Sequence, residues 1–252
     1  MLSATQRRGE GSPLATGRDE AASGAAVRTM FASVAHRYDF LNHFLSLGRD
    51  IAWRRATARA LEETLVRPGS RVADICCGTG DLSFCLGRRS QGMVMGADFC
   101  RPMLAIARDK RGAAAQGVQF LEADALHLPF GDGSVDAVTS AFGFRNLANY
   151  TRGIEEMRRV LKSGGRLAIL EFSHVRWPVL GALFRFYFHH VLPRLGAWIS
   201  GVEGPYKYLP ESVAQFPDQE ALAQKLRVAG FHQVSYVNFS GGIAALHVAE
   251  KS

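Results

Sequence analysis

The chain has 252 residues, 47% of them hydrophobic, which suffices for one ordinary domain with a sizeable core. Lys and Arg number 30 against 23 Asp and Glu, and the formal charge of +7 suits an anionic partner as well as it suits an ordinary basic enzyme. No run of eighteen apolar residues exists to span a bilayer, no apolar h-region marks a signal peptide, and the 4 cysteines (Cys76, Cys77, Cys85, Cys100) lack metal-site spacing and read as reduced packing residues of a cytoplasmic protein.

Residues 1–26 are rich in Gly, Ala, Ser and Arg without apolar periodicity, and are expected to form a disordered tail. Residues 27–60 read as a helical cap ahead of the first strand. From residue 70 onward strands and helices alternate. Val72–Ile75 is a strand, Leu82–Arg88 a helix, Met93–Ala97 a strand, and Pro102–Arg111 a helix with proline at its first turn. Val118–Glu122 and Val135–Ser140 are the next strands. Thr151–Leu161 is a helix with Ile154, Met157, Val160 and Leu161 on one face; Gly164-Gly165 ends it, and Arg166–Phe172 is the fifth strand. Residues 174–216 interrupt the alternation, and Val234–Phe239 with Ala244–Glu250 close the sheet. This order predicts an α/β fold with a seven-stranded, mostly parallel sheet and a helical lid, ligands lying at the carboxyl ends of the strands.

Asp74, Asp98, Asp124 and Ser140 fall at those ends, one for each of the first four strands. Between the first strand and its helix lies Cys76-Cys77-Gly78-Thr79-Gly80-Asp81, a glycine turn that lets a ligand lie against bare backbone. A dinucleotide fingerprint would carry a third glycine; here that position is Ser83, and Asp74 precedes the turn where it would repel a pyrophosphate. A carboxylate there suits a ligand with ammonium and sulfonium charges. Asp98 suits ribose hydroxyls, Asp124 an adenine amino group, and the Ala125 amide an adenine ring nitrogen. These features, with Gly78, Thr79, Gly80 and Ser140, define the cofactor as S-adenosylmethionine rather than a nicotinamide.

With those motifs in place, the chain resembles the UbiE/MenG-like C-methyltransferases of menaquinone and ubiquinone biosynthesis. The resemblance is carried by Phe31-Ala32-Ser33-Val34-Ala35-His36-Arg37-Tyr38-Asp39-Phe40-Leu41-Asn42 through Trp53-Arg54-Arg55, by the Cys76–Asp81 turn, by Phe142-Gly143-Phe144-Arg145-Asn146, by Arg159-Val160-Leu161-Lys162-Ser163-Gly164-Gly165 on to Glu171-Phe172-Ser173, and by Tyr206-Lys207-Tyr208-Leu209-Pro210-Glu211-Ser212. Leu41, Asp50, Ser163, Asp124 and Ala141 depart from residues common in relatives. The resemblance implies a Rossmann-like methyltransferase fold and methyl transfer to a ring carbon of a prenylated quinol, naphthoquinol or benzoquinol.

Carbon is a poor nucleophile toward a sulfonium methyl, and loss of a phenolic proton places charge on the carbon ortho to oxygen. In this reading Arg145 is the cation that lowers the quinol pKa and Asn146 orients a ring oxygen. Tyr38, Asp39 and Asn42 share a helical face and close the other side. No histidine has a partner fixed by spacing, and no metal is expected. Trp177, Leu180, Leu183, Phe184, Tyr187, Phe188, Val191 and Leu192 recur at helical spacing, as an interfacial helix, a prenyl tunnel or ordinary core. Peripheral membrane contact at the inner face and a homodimer are compatible with this reading; nucleic acid is not expected, since no RNA module is present. A soluble phenol or RNA acceptor, a nicotinamide oxidoreductase, a non-catalytic SAM-binding protein and a structural interaction module are the competing readings.

Overall fold

A computed structural model describes residues 11–15, 19–46, 48–112, 117–175 and 204–252. Seven strands run β1 (Arg71–Ile75), β2 (Met93–Asp98), β3 (Val118–Glu122), β4 (Val135–Ala141), β5 (Leu161–Phe172), β6 (Phe231–Phe239) and β7 (Ala244–Lys251). They form one sheet in the order β3-β2-β1-β4-β5-β7-β6. The pairs from β3 through β5 are parallel, and β7 is antiparallel to both β5 and β6. Eight helices are described: α1 (Glu20–Leu45), α2 (Arg49–Ala60), α3 (Glu62–Leu65), α4 (Asp81–Gly87), α5 (Arg101–Lys110), α6 (Tyr150–Val160), α7 (Gly204–Gln215) and α8 (Gln219–Val228).

The two-residue period of the strands divides the core. Ala73, Ile75, Val138, Leu167 and Ile169 face α6 and α8, where they meet Ile154, Met157, Leu222 and Leu226. Val72, Ala137, Ala168 and Leu170 face the other way, onto Trp53, Ala58, Leu61, Leu82 and Leu86 of the α2–α4 side. The same parity places the polar strand-end residues. Asp74 and Thr139 belong to the α4 face; Ser140 belongs to the α6 face. Strand order reverses between β1 and β4, so their onward connections leave on opposite faces and open a crevice.

Several elements differ from expectation. Helix α1 begins at Glu20, inside the segment expected to be a disordered tail, and Ser12 is also fixed, its backbone N–H donating to Leu147 O at 2.8 Å. Alanine-rich sequence forms helix without an apolar stripe. Strand β5 starts at Leu161 rather than Arg166, with Leu161 pairing Val135 before the register shifts around the Gly164-Gly165 turn. Helix α8 was absent from the sequence reading, although Asp218 caps it by accepting from the Ala221 N–H at 2.8 Å. The apolar run 177–192 lies outside the described residues.

Phe144, fully buried, stacks on Tyr150 at 5.6 Å and meets Phe216 edge-on at 6.1 Å between ring centroids. Phe144→Ala is expected to destabilise the fold by about 3–5 kcal/mol in chemical denaturation. A loss below about 1 kcal/mol would show that this aromatic cluster does not hold the segment after β4 against α6.

Candidate active site

The β1–α4 turn is built on left-handed glycines. Gly80 has φ +86°, and a Cβ there would lie 2.7 Å from Phe120 Cζ, so glycine is required on both counts. Its N–H donates to Cys77 O at 2.9 Å. Below the turn the Asp74 carboxylate is completely buried and accepts from Ser83 Oγ at 2.5 Å and Thr139 Oγ1 at 2.9 Å. Burial raises its pKa to about 6 against the pull of those two hydroxyls. Cys76 and Cys77 are free thiols; burial, with Asp98 and Asp74 nearby, pushes both well above the ordinary thiol range and leaves them poor nucleophiles.

Above the strand ends lies a cleft open to solvent. Asp98 at the end of β2 with Phe99 and Cys100, and Ala123, Asp124, Ala125 and Leu126 after β3, form one side. Cys76 and Gly78 form the floor, and Glu20, Gly24 and Phe31 of α1 form a wall. Asp98 accepts from the Gly78 and Cys100 N–H groups, each at 2.8 Å, which fixes its carboxylate at the cleft rim and leaves lone pairs for two hydroxyls. Burial raises its pKa, and those backbone donors oppose the rise. Asp124 is exposed at the mouth and accepts from the Leu126 N–H at 2.9 Å. Among the described residues, the charged groups lining this cleft are acidic, which suits a nucleoside with a cationic sulfur and disfavours a pyrophosphate.

The opposite wall comes from the segment after β4. Asn146 lines the cleft, and its Oδ1 accepts from the Tyr208 hydroxyl of α7 at 2.9 Å. Arg145, expected to face the acceptor, points the other way. It is buried, its Nη1 donates to Glu171 Oε2 at 3.0 Å and to Phe142 O, and its N–H donates to Glu171 Oε1 at 3.0 Å. The guanidinium therefore anchors the segment to β5. Ser140 is likewise displaced from its expected role: strand parity buries it on the α6 face, while the next residue, Ala141, lines a cavity on the α4 face. Tyr38 and Asn42 sit on α1, with side chains outside the described residues; Asp39 on the same helix accepts from Thr79 Oγ1 and from Lys110 Nζ, the latter at 2.8 Å. Lys110 also donates to Asp81 Oδ1 at 2.7 Å, so α1 is latched to the glycine turn.

Tyr208, Glu171 and the α1 wall were not singled out as site residues from sequence. Tyr208 and Glu171 lie within motifs that carried the family resemblance, but no spacing pairs them with Asn146 or Arg145. His43, Asp50 and Asp81 place ligand atoms within 4.8 Å of one another; Arg54 donates to Asp50 and Lys110 to Asp81, which makes the group a salt-bridge network.

The strand order, glycine turn and acidic cleft define a Rossmann-like methyltransferase that uses S-adenosylmethionine. Residues 18–251 match the ubiE/COQ5 methyltransferase family, to which the chain belongs. Among curated relatives, a demethylmenaquinone methyltransferase of Deinococcus radiodurans is 51% identical over 92% of this chain and 95% of its own length. That of Thermus thermophilus is 51% identical over 88% and 100%. A ubiquinone/menaquinone biosynthesis C-methyltransferase UbiE of Geotalea uraniireducens is 38% identical over 90% and 97%. Among solved structures, a SAM-dependent methyltransferase of Thermotoga maritima, a possible histamine N-methyltransferase by its description, superposes with a TM-score of 0.62 at 19% identity, covering 90% of this chain and 100% of that one, and supports the fold.

Two outcomes follow from this geometry. Asp98→Ala should weaken S-adenosylhomocysteine binding at least about tenfold in calorimetry, because hydrogen bonds to a charged group contribute about 1.5–3 kcal/mol; parental affinity would remove Asp98 from the site. For Asp74, a folded-state pKa of about 6 lies above the ordinary 3.8, so folding favours the protonated acid. That contribution is complete below about pH 3.8 and is lost as pH rises through 6, by up to about 3 kcal/mol. Asp74→Asn abolishes it, so from about pH 4 to about pH 7 the parent should lose stability relative to the variant in urea titrations. Parallel pH profiles would mean that Asp74 ionises normally.

Proposed function

We propose that this chain transfers a methyl group to the ring carbon of demethylmenaquinol, giving menaquinol. The observation that carries this reading is 51% identity, over nearly their full length, to two demethylmenaquinone methyltransferases. S-adenosylmethionine, held by Asp98, Asp124 and the glycine turn, supplies the activated methyl. The protein aligns carbon, methyl and sulfur, and alignment of this kind contributes about 7–11 kcal/mol in favourable cases.

Asn146 is the residue placed to act on the acceptor. With its Oδ1 occupied by Tyr208, both N–H groups of its amide remain for the cleft. A donor aimed at a ring oxygen stabilises the phenolate that develops as the ring carbon becomes nucleophilic. Arg145 contributes as a positioning residue, since its pairing with Glu171 holds the Asn146 turn in place. Phe31, Phe142 and Leu147 give the cleft an apolar lining suited to an aromatic ring. The prenyl tail of such an acceptor lies in a bilayer, so peripheral contact at the inner membrane face belongs to this reading. No helix among the described residues is long and apolar enough to cross a membrane.

Relatives of lower identity named for both ubiquinone and menaquinone biosynthesis supply a second reading, with a polyprenyl methoxybenzoquinol as acceptor. Incubation with labelled S-adenosylmethionine and each quinol, followed by mass spectrometry, tests the reading: label on the naphthoquinol ring carbon is expected, and label on neither ring overturns it. Asn146→Ala should slow turnover about a hundredfold while S-adenosylhomocysteine still binds; unchanged turnover would take Asn146 out of the mechanism.

A further inference from the structure

A smaller cavity, lined by Arg54, Asp74, Thr79, Asp81, Leu82 and Ala141, shares Cys76 and Gly78 with the main cleft and lies beside it. The charges lining the two are uneven. The main cleft carries Glu20, Asp98 and Asp124; the smaller cavity carries Asp74 and Asp81. Among the described residues lining the two spaces, Arg54 is the cation. The methionine part of the cofactor bears an ammonium and a carboxylate. The ammonium is accommodated by the acids throughout, whereas the carboxylate meets like charge everywhere except at Arg54.

We propose that Arg54 receives the methionine carboxylate of S-adenosylmethionine. The inference rests on the cofactor reading above and extends it to the amino-acid end. Arg54 is on α2, and its guanidinium is set before any ligand arrives. Nη1 donates to the buried Asp50, and Cζ lies 5.4 Å from the centroid of the Phe142 ring. Nη2 lies 3.7 Å from Asp81 Oδ2, beyond hydrogen-bond distance, and among the described residues it has no closer acceptor. A planar guanidinium pinned on one nitrogen, with a second left to donate, is a fitting receptor for a carboxylate. Asp50 in turn is held by Ser46 Oγ at 2.7 Å and His43 Nδ1 at 2.7 Å; Ser46, Arg54 and His43 keep its carboxyl below the usual range despite burial, so it stays an anion and fixes Arg54.

The test compares S-adenosylhomocysteine with its decarboxylated analogue, S-adenosyl-3-thiopropylamine, by calorimetry. The parent should prefer the carboxylate-bearing compound at least about tenfold. Arg54→Met should lose that preference while holding the decarboxylated analogue within about threefold of the parent. Because Arg54→Met leaves Asp50 without its cation, the paired variant Asp50→Asn/Arg54→Met is measured beside it, with circular dichroism to establish folding. Arg54→Lys, which keeps the charge, should retain part of the preference. A parent that does not distinguish the two compounds, or an Arg54→Met protein that keeps the full preference, overturns the assignment. A parent that binds neither compound overturns the cofactor reading, and the assignment falls with it.

Discussion

The Asp74 carboxylate joins the first turn of α4 to β4 at the place where the strand order reverses, through Ser83 on one side and Thr139 on the other. Among the described residues no arginine or lysine donates to it, so two hydroxyls and the surrounding protein hold a buried acid whose pKa has risen to about 6. Strand parity explains why the bond exists. Asp74 and Thr139 project from adjacent parallel strands onto the same face, and Ser83 enters from the helix packed there. With that link in place, the glycine turn, Asp98 through the Gly78 amide, and Thr79 through Asp39 all acquire fixed positions.

Charge is then divided between two spaces. Glu20, Asp98 and Asp124 line the main cleft, while Arg54 from α2 is, among the described residues, the cation lining the smaller cavity. The acceptor side depends on a different device. Arg145 and Glu171 form a buried pair between the segment after β4 and β5, and a buried pair of this kind is costly to break because the surviving charge is left without a partner. Its contribution is placement: it holds the turn that presents Asn146 to the cleft, and the Tyr208 hydroxyl from α7 bonds the amide there.

Much of this arrangement was legible in the sequence because it is local. The glycine turn, the strand-end acids Asp98 and Asp124, and the helical period of Ile154, Met157 and Val160 each lie within a few residues of the element they define. Direction was not legible: Ser140 and Ala141, and Arg145 and Asn146, are neighbours that a strand pleat or a single helical turn sends to opposite sides, so of the expected pair Arg145 and Asn146 only Asn146 lines the cleft. Helix α1 was placed too late because Glu20–Ala26 carries alanines but no apolar stripe. Arg54 was visible only as part of a motif, since its meeting with Asp81 and Phe142 is made by packing α2 against the sheet and has no counterpart in spacing.

Helix α1 supplies Glu20 and Gly24 to the cleft wall, and Glu20 Oε1 accepts from Asn149 Nδ2 at 3.0 Å across the mouth. A truncated protein started at residue 27, where the apolar pattern begins, would therefore keep the whole sheet and still have lost two lining residues and that bridge. Glu20 and Gly24 thus belong to the lining of the cleft as much as the strand-end residues do, although they precede the sheet by some fifty residues in the chain.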